Sequence, residues 1–123
     1  MSLLNQKTIK KAVTLSGVGL HSGKQVRVCV KPSAPDTGIV FKRVDLKGDN
    51  LIYPNFLNVS NTELNTTISN NSGIKVSTIE HLMGALFGIG IDNVLVEIDN
   101  EEVPILDGSA KLFIEKILSS GLE

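Results

Sequence analysis

Valines recur at every second position of the stretch KQVRVCVKP: Val26, Val28 and Val30 share one face, and Arg27, Cys29 and Lys31 the other. That alternation predicts a half-buried strand ending at Pro32, with Cys29 on the opposite face from the valines. KAVTLSG before it and GIVFKRVDL after it are similarly rich in β-forming residues, and SAPDTG supplies a turn between the second and third segments. The first third of the chain therefore predicts an antiparallel meander. From Lys47 to Gly73 the pattern weakens, with Asn recurring among Ser, Thr and Gly and short apolar pieces at LIYPNFL and TTIS. This segment, approximately 47–73, predicts an insert with a few short strands, and long irregular segments in small domains are often functional.

The period then changes. In VSTIEHLMGALFGIG, residues 76–90, Ile79, Leu82, Met83, Leu86 and Phe87 fall at helical spacing, and Gly88 and Gly90 close the run. NVLVEID predicts a strand. After NEEVPILDGS a second helix takes Leu112, Phe113, Ile117 and Leu118 as its buried stripe and stops near Gly121. Strands followed by helix, strand and helix predict an α+β two-layer sandwich: a mixed, mostly antiparallel sheet with two helices on one face, plus the small β insert.

Composition narrows the function classes. A chain of 123 residues, 41% hydrophobic, is the size of one domain spanning 1–123 and can bury roughly two-thirds of its unfolded surface. Twelve basic against thirteen acidic residues leave a formal charge of −1, which provides no field to recruit nucleic acid. The lone Cys29 forms no internal disulfide, and MSLLNQKTIKK has too short an apolar run for a signal peptide, so a cytoplasmic setting is expected. No stretch approaches the ~20 apolar residues of a transmembrane helix. The Asn-x-Ser/Thr triplets beginning at Asn58, Asn65 and Asn70 read most simply as polar loop composition.

Glu80 and His81 are the only ionisable residues of the first helical stretch. Ser77 three residues before Glu80 matches the S-x-x-E capping box, which makes Glu80 a structural cap on spacing alone. The residues above His81 on its own face are Gly84, Ala85 and Gly88, a strip on which either another backbone or a ligand can approach closely. The positive end of the helix dipole favours a neutral imidazole, the form that ligates metal, and an ionised carboxylate. A carboxylate beside a metal that acidifies a water is the arrangement for general-base hydrolysis. The signature H-E-x-x-H is absent, and His21, Asp92 and Asp107 sit at no recognisable ligand spacing. His21, between glycines in SGVGLHSG, also fits a tight turn, and Asp107 in PILDGSA also fits a helix N-cap. A non-catalytic binding or interaction module, with the Glu80–His81 pair as cap and packing strip, remains the alternative.

SGVGLHSGK, STIEHLMGALFGIGIDN and VPILDGSA, in that order and at these separations, closely resemble the N-terminal half of the UDP-3-O-acyl-N-acetylglucosamine deacetylases, zinc-dependent amidases of lipid A synthesis in Gram-negative bacteria. The resemblance spans nearly the whole chain. It implies two similar domains, each a sheet with two helices, and an active site between them. By that resemblance Glu80 is the general base and His81 the first Zn2+ ligand. His21 lies in a loop near the metal and the substrate. Thr62, Leu64 and Asn65 line the entrance for the substrate's acyl chain; some members carry cysteine where this sequence has Asn65. The family's other two zinc ligands and its second catalytic histidine belong to a C-terminal domain beyond this sequence, which ends at SSGLE about where the family's linker begins. The 123 residues are therefore expected to be inactive alone, to pair with that missing domain around a nucleotide-activated acylated sugar, and to expose an apolar patch through which they self-associate.

Overall fold

The computed structural model describes residues 6–20, 22–54, 59–61, 66–106 and 110–123. In chain order they form β1 (Val13–Val18), β2 (Gln25–Pro32), β3 (Ile39–Arg43), β4 (Leu51–Ile52), β5 (Val59–Asn61), β6 (Thr66–Ser69), β7 (Lys75–Ser77), α1 (Glu80–Ile89), β8 (Val94–Ile98) and α2 (Lys111–Ser119). Five strands make one sheet in the order β1-β2-β8-β3-β4, and β5-β6-β7 make a second, smaller one. All neighbours are antiparallel except β3 and β8, which are parallel. This is the mixed, mostly antiparallel α+β architecture that the hydrophobic pattern predicts.

The antiparallel meander expected in the first third does not form. β1 and β2 pair as a hairpin, with Val13 opposite Val30 and Leu15 opposite Val28, but β8 inserts between β2 and β3. The reason lies in β8 itself: Val94, Leu95 and Val96 are apolar in succession, and a strand apolar on both faces belongs at the centre of a sheet. Register then carries one apolar face across all the strands, with Val28 opposite Ile98, Val30 opposite Val96, and Phe41 beside Val96. Leu82, Ala85 and Leu86 of α1 and Phe113 and Ile117 of α2 are buried in the same core cluster, and α1 packs on α2 and α2 on β1. The opposite face carries the half-buried Cys29 and the Lys31–Glu97 ion pair at 2.8 Å.

Both helices are rotated from the expected stripe. In α1, Ala85 takes the inner place expected for Phe87, which is 67% exposed, and Met83 is only partly buried. The run EHLMGALFGI is apolar on nearly every side, so its period does not choose between the two faces; Ala85 is the smaller residue and permits closer packing. In α2, Leu112 and Leu118 are exposed and Phe113 and Ile117 are buried, with Ile114 partly so. Tyr53, Phe87 and Leu118 are thus large apolar side chains facing outward.

The segment between β3 and α1 divides its strands. β4 pairs with β3 at the edge of the main sheet, whereas β5, β6 and β7 form the small sheet, whose Ile68 and Val76 extend the core. Arg43, at the end of β3, joins the two sheets. Its Nε and Nη2 donate to the two carboxylate oxygens of Asp45 at 2.9 and 2.7 Å, and its Nη1 donates to the Lys75 carbonyl at 2.9 Å.

The Arg43 hydrogen bond is the main cause that holds the Asp45 carboxyl below its ordinary value, against the opposing effect of burial. A carboxyl lowered in the folded chain stabilises the fold fully above its unfolded value, and that contribution disappears as pH falls through the folded value. Asp45→Asn is therefore expected to cost about 1–2 kcal/mol at neutral pH, with variant and parent converging as the solution is acidified below the ordinary carboxyl range. Urea unfolding at a series of pH values checks this, and a difference independent of pH contradicts it. At the other end of α1, Gly90 adopts φ 87° and donates its N–H to Leu86 and Phe87, while Ile91 N–H donates to Leu86. Gly90→Ala meets no neighbouring atom, so its expected cost of about 1 kcal/mol in thermal unfolding is conformational alone.

Candidate active site

α1 does not start as a capping box. Ile79 occupies the cap position and no side chain caps the helix. Ser77 is spent elsewhere: it is the last residue of β7, its N–H donates to Glu101 O at 2.7 Å, its carbonyl accepts from Val103 N–H at 3.1 Å, and its hydroxyl donates to Glu101 O at 3.2 Å. Two residues therefore turn the chain from strand pairing into helix, and Thr78 does so at φ 60°. That conformation is uncommon for any residue with a side chain and strained for a β-branched one. Glu80 and His81 follow as the first two residues of the helix, Glu80 exposed and His81 half-buried. Neither side chain makes a hydrogen bond to another described residue. Gly84 and Gly88, one and two turns further on, face open space.

The segment from Glu101 to Ile105 lies between two parts of the chain that are remote in sequence. On one side Glu102 bridges to Ser77; on the other Pro104 bridges to Gly19, and Ile105 N–H donates to Val18 O at 3.0 Å. The carboxylate of Glu102, only 2% exposed, spans the same gap. Its Oε1 accepts from Ser22 N–H at 2.8 Å and its Oε2 from the Thr78 hydroxyl at 2.8 Å. Gly19 leaves room for it: a methyl group there would overlap Glu102 Oε1 and Ser22 Oγ. Residues flanking His21 are thereby brought beside the start of α1.

Three stretches distant in sequence, SGVGLHSGK, STIEH and EVPI, thus meet around one buried carboxylate. Neither Glu102 nor Thr78 is singled out by pattern. Glu101 and Glu102 are adjacent and identical in type, and only the pairing with β7 decides which is enclosed. His21, Thr62, Leu64, Asn65 and Asp107 lie outside the described residues. The N-cap role considered for Asp107 falls instead to Ala110, which precedes α2. Asp92, considered as a metal ligand, lies beyond the far end of α1, a ten-residue helix that Glu80 opens and that is about 15 Å long. Its carboxylate accepts the Lys7 N–H at 2.8 Å and fixes the N-terminal segment. Among the described residues, no three of His, Cys, Asp and Glu converge as a metal site.

On the flank of α1, Ile39, Tyr53, Pro54, Met83, Phe87 and Ile91 line a groove of about 480 Å³. It is mainly apolar, with Thr37 and Asp92 also on its wall, and lies towards the C-terminal part of the helix. No described helix is long and apolar enough to cross a membrane.

Matching the sequence to protein-family models pairs residues 6–123 with the model described as UDP-3-O-acyl N-acetylglycosamine deacetylase. The match runs through all three stretches that meet at Glu102 and through both helices. The chain therefore belongs to the UDP-3-O-acyl N-acetylglycosamine deacetylase family, hydrolases of lipid A biosynthesis.

Proposed function

We propose that this chain supplies the general base, Glu80, and one zinc ligand, His81, of an amidase that removes the N-acetyl group from a UDP-activated, 3-O-acylated glucosamine. The observation that supports this reading is the start of α1: a carboxylate and an imidazole on adjacent residues, turned out of the core and left without hydrogen-bond partners among the described residues, where a structural cap would engage them. A half-buried imidazole beside an exposed carboxylate is donor chemistry that zinc accepts. Bound there, Zn2+ would polarise the amide carbonyl and make a water more acidic. Glu80 would take a proton from the attacking water as the water oxygen bonds to the acetyl carbon; the carbon–nitrogen bond then breaks, giving acetate and the free amine. His81 would hold the metal through a ring nitrogen.

A catalytic zinc site usually takes three protein ligands. His81 is one, and in this reading the others, with the group that protonates the leaving amine, come from a further domain outside these 123 residues. The isolated chain is then inactive, and it works in the cytoplasm of a Gram-negative cell. His21, by the family resemblance, contacts the substrate, and Thr62, Leu64 and Asn65 border the path of the acyl chain.

Mixing or fusing the chain with a C-terminal domain of the family, with zinc added, is expected to restore deacetylation. Glu80→Ala should then lower kcat by about 10²- to 10⁴-fold, the usual loss of a general base, with unfolding temperature nearly unchanged. A folded, reconstituted protein without turnover would favour a non-catalytic module instead. Calorimetric titration of the isolated chain with Zn2+ should give no tight stoichiometric site. Tight uptake abolished by His81→Ala would mean that the chain holds a complete ligand set of its own.

A further inference from the structure

The buried carboxylate of Glu102 takes no part in the chemistry above, yet it is the side chain that links the two parts of the site. Its two oxygens accept from different elements: Ser22 N–H, next to His21 in sequence, and the Thr78 hydroxyl, two residues before Glu80. A carboxylate is acceptor-only and offers an oxygen to each donor at once. Enclosure at 2% exposure keeps water from replacing either bond. Gly19 supplies the space, and the bridges from Pro104 to Gly19 and from Glu102 to Ser77 hold the backbone on both sides. Thr78 needs such a hold, because its φ of 60° is a strained setting for a β-branched residue that persists only where surrounding contacts enforce it. A one-residue change in that turn would rotate Glu80 and His81 about the helix axis by about 100°.

We propose that Glu102 is a positioning residue, which fixes the backbone at Ser22 against the start of α1 and so sets the placement of Glu80 and His81. The tether itself is independent of catalysis, and its consequence for turnover rests on the reading of Glu80 and His81 given above. Coupling across the carboxylate distinguishes this role from simple core stabilisation. Breaking the bond on the Thr78 side should be felt at Ser22, although Thr78 and Ser22 share no bond of their own among those described.

The test is amide hydrogen exchange by NMR on the 123-residue chain, with Glu102→Ala, Glu102→Gln and Thr78→Val. Glu102→Ala should speed exchange at Ser22 by about tenfold or more, the scale of a lost hydrogen bond to a charged group, beyond any change shared by the β1–β2 ladder. Thr78→Val should also speed exchange at Ser22. Glu102→Gln, which can still accept from Ser22 and donate to the Thr78 hydroxyl, should restore most of the protection. If Glu102→Ala does not fold, the Gln and Val variants decide alone. In the reconstituted enzyme, Glu102→Ala should lower kcat at least about tenfold while KM changes little, with Gln recovering most of it. Ser22 exchange indifferent to Thr78→Val would overturn the tether. So would a Gln variant that behaves like Ala in exchange. Coupled exchange with turnover indifferent to Glu80→Ala would retain the tether and remove the catalytic reading instead.

Discussion

The pairing of Ser77 with the segment from Glu101 to Val103 is the constraint on which the rest of the site depends. β7 is three residues long, and its last residue gives both backbone groups and its hydroxyl to that segment. The chain then has only Thr78 and Ile79 in which to reach helical geometry. It does so through a left-handed threonine and an uncapped helix start, an arrangement that local propensity alone would not select. Glu80 and His81 consequently project from a fixed point at the edge of the core and are not drawn into capping. The same segment pairs with Val18 and Gly19 on its other side, so one short run of backbone aligns two stretches distant in sequence.

Burial separates two acids that the start of α1 and the segment after β8 provide. Glu102 is enclosed and accepts hydrogen bonds from both sides, whereas Glu80 is open and accepts none among the described residues. Arg43 and Asp45 play a comparable structural part at the junction of the two sheets, where a planar guanidinium bonds both oxygens of the acid and the Lys75 carbonyl. The polar groups inside this fold thus serve the joints between elements, and the apolar face of the sheet provides the core.

Much of the architecture was legible in the sequence because period reports burial directly. The alternating valines of β2, the two helical runs and the strand between them specify a sheet with helices on one face. What period could not show was strand order: the central place of β8 follows from Val94, Leu95 and Val96 being apolar in succession, but a sequence-adjacent hairpin partner for β3 is the simpler first expectation. Nor could it orient α1, whose run is apolar all round, so that Ala85 and not Phe87 faces inward. In the site, Glu80 and His81 stood out as the only charged or titratable residues of an apolar helix. Ser77 suggested a cap because S-x-x-E is a local pattern, and a tertiary pairing 24 residues away took the serine instead. Glu102 had no local signal at all, since enclosure of one of two neighbouring glutamates is decided by pairing with distant residues.

The central claim, that the tip of α1 carries half of a hydrolytic zinc centre, is tested most directly by ¹⁵N NMR of the histidine imidazoles in the chain joined to a C-terminal domain of the family. On adding Zn2+, the account predicts that one ring nitrogen of His81 moves to the metal-bound range, and that this resonance is absent in His81→Ala. A protein that turns over substrate with zinc bound while the His81 ring nitrogens remain at their metal-free positions would contradict it.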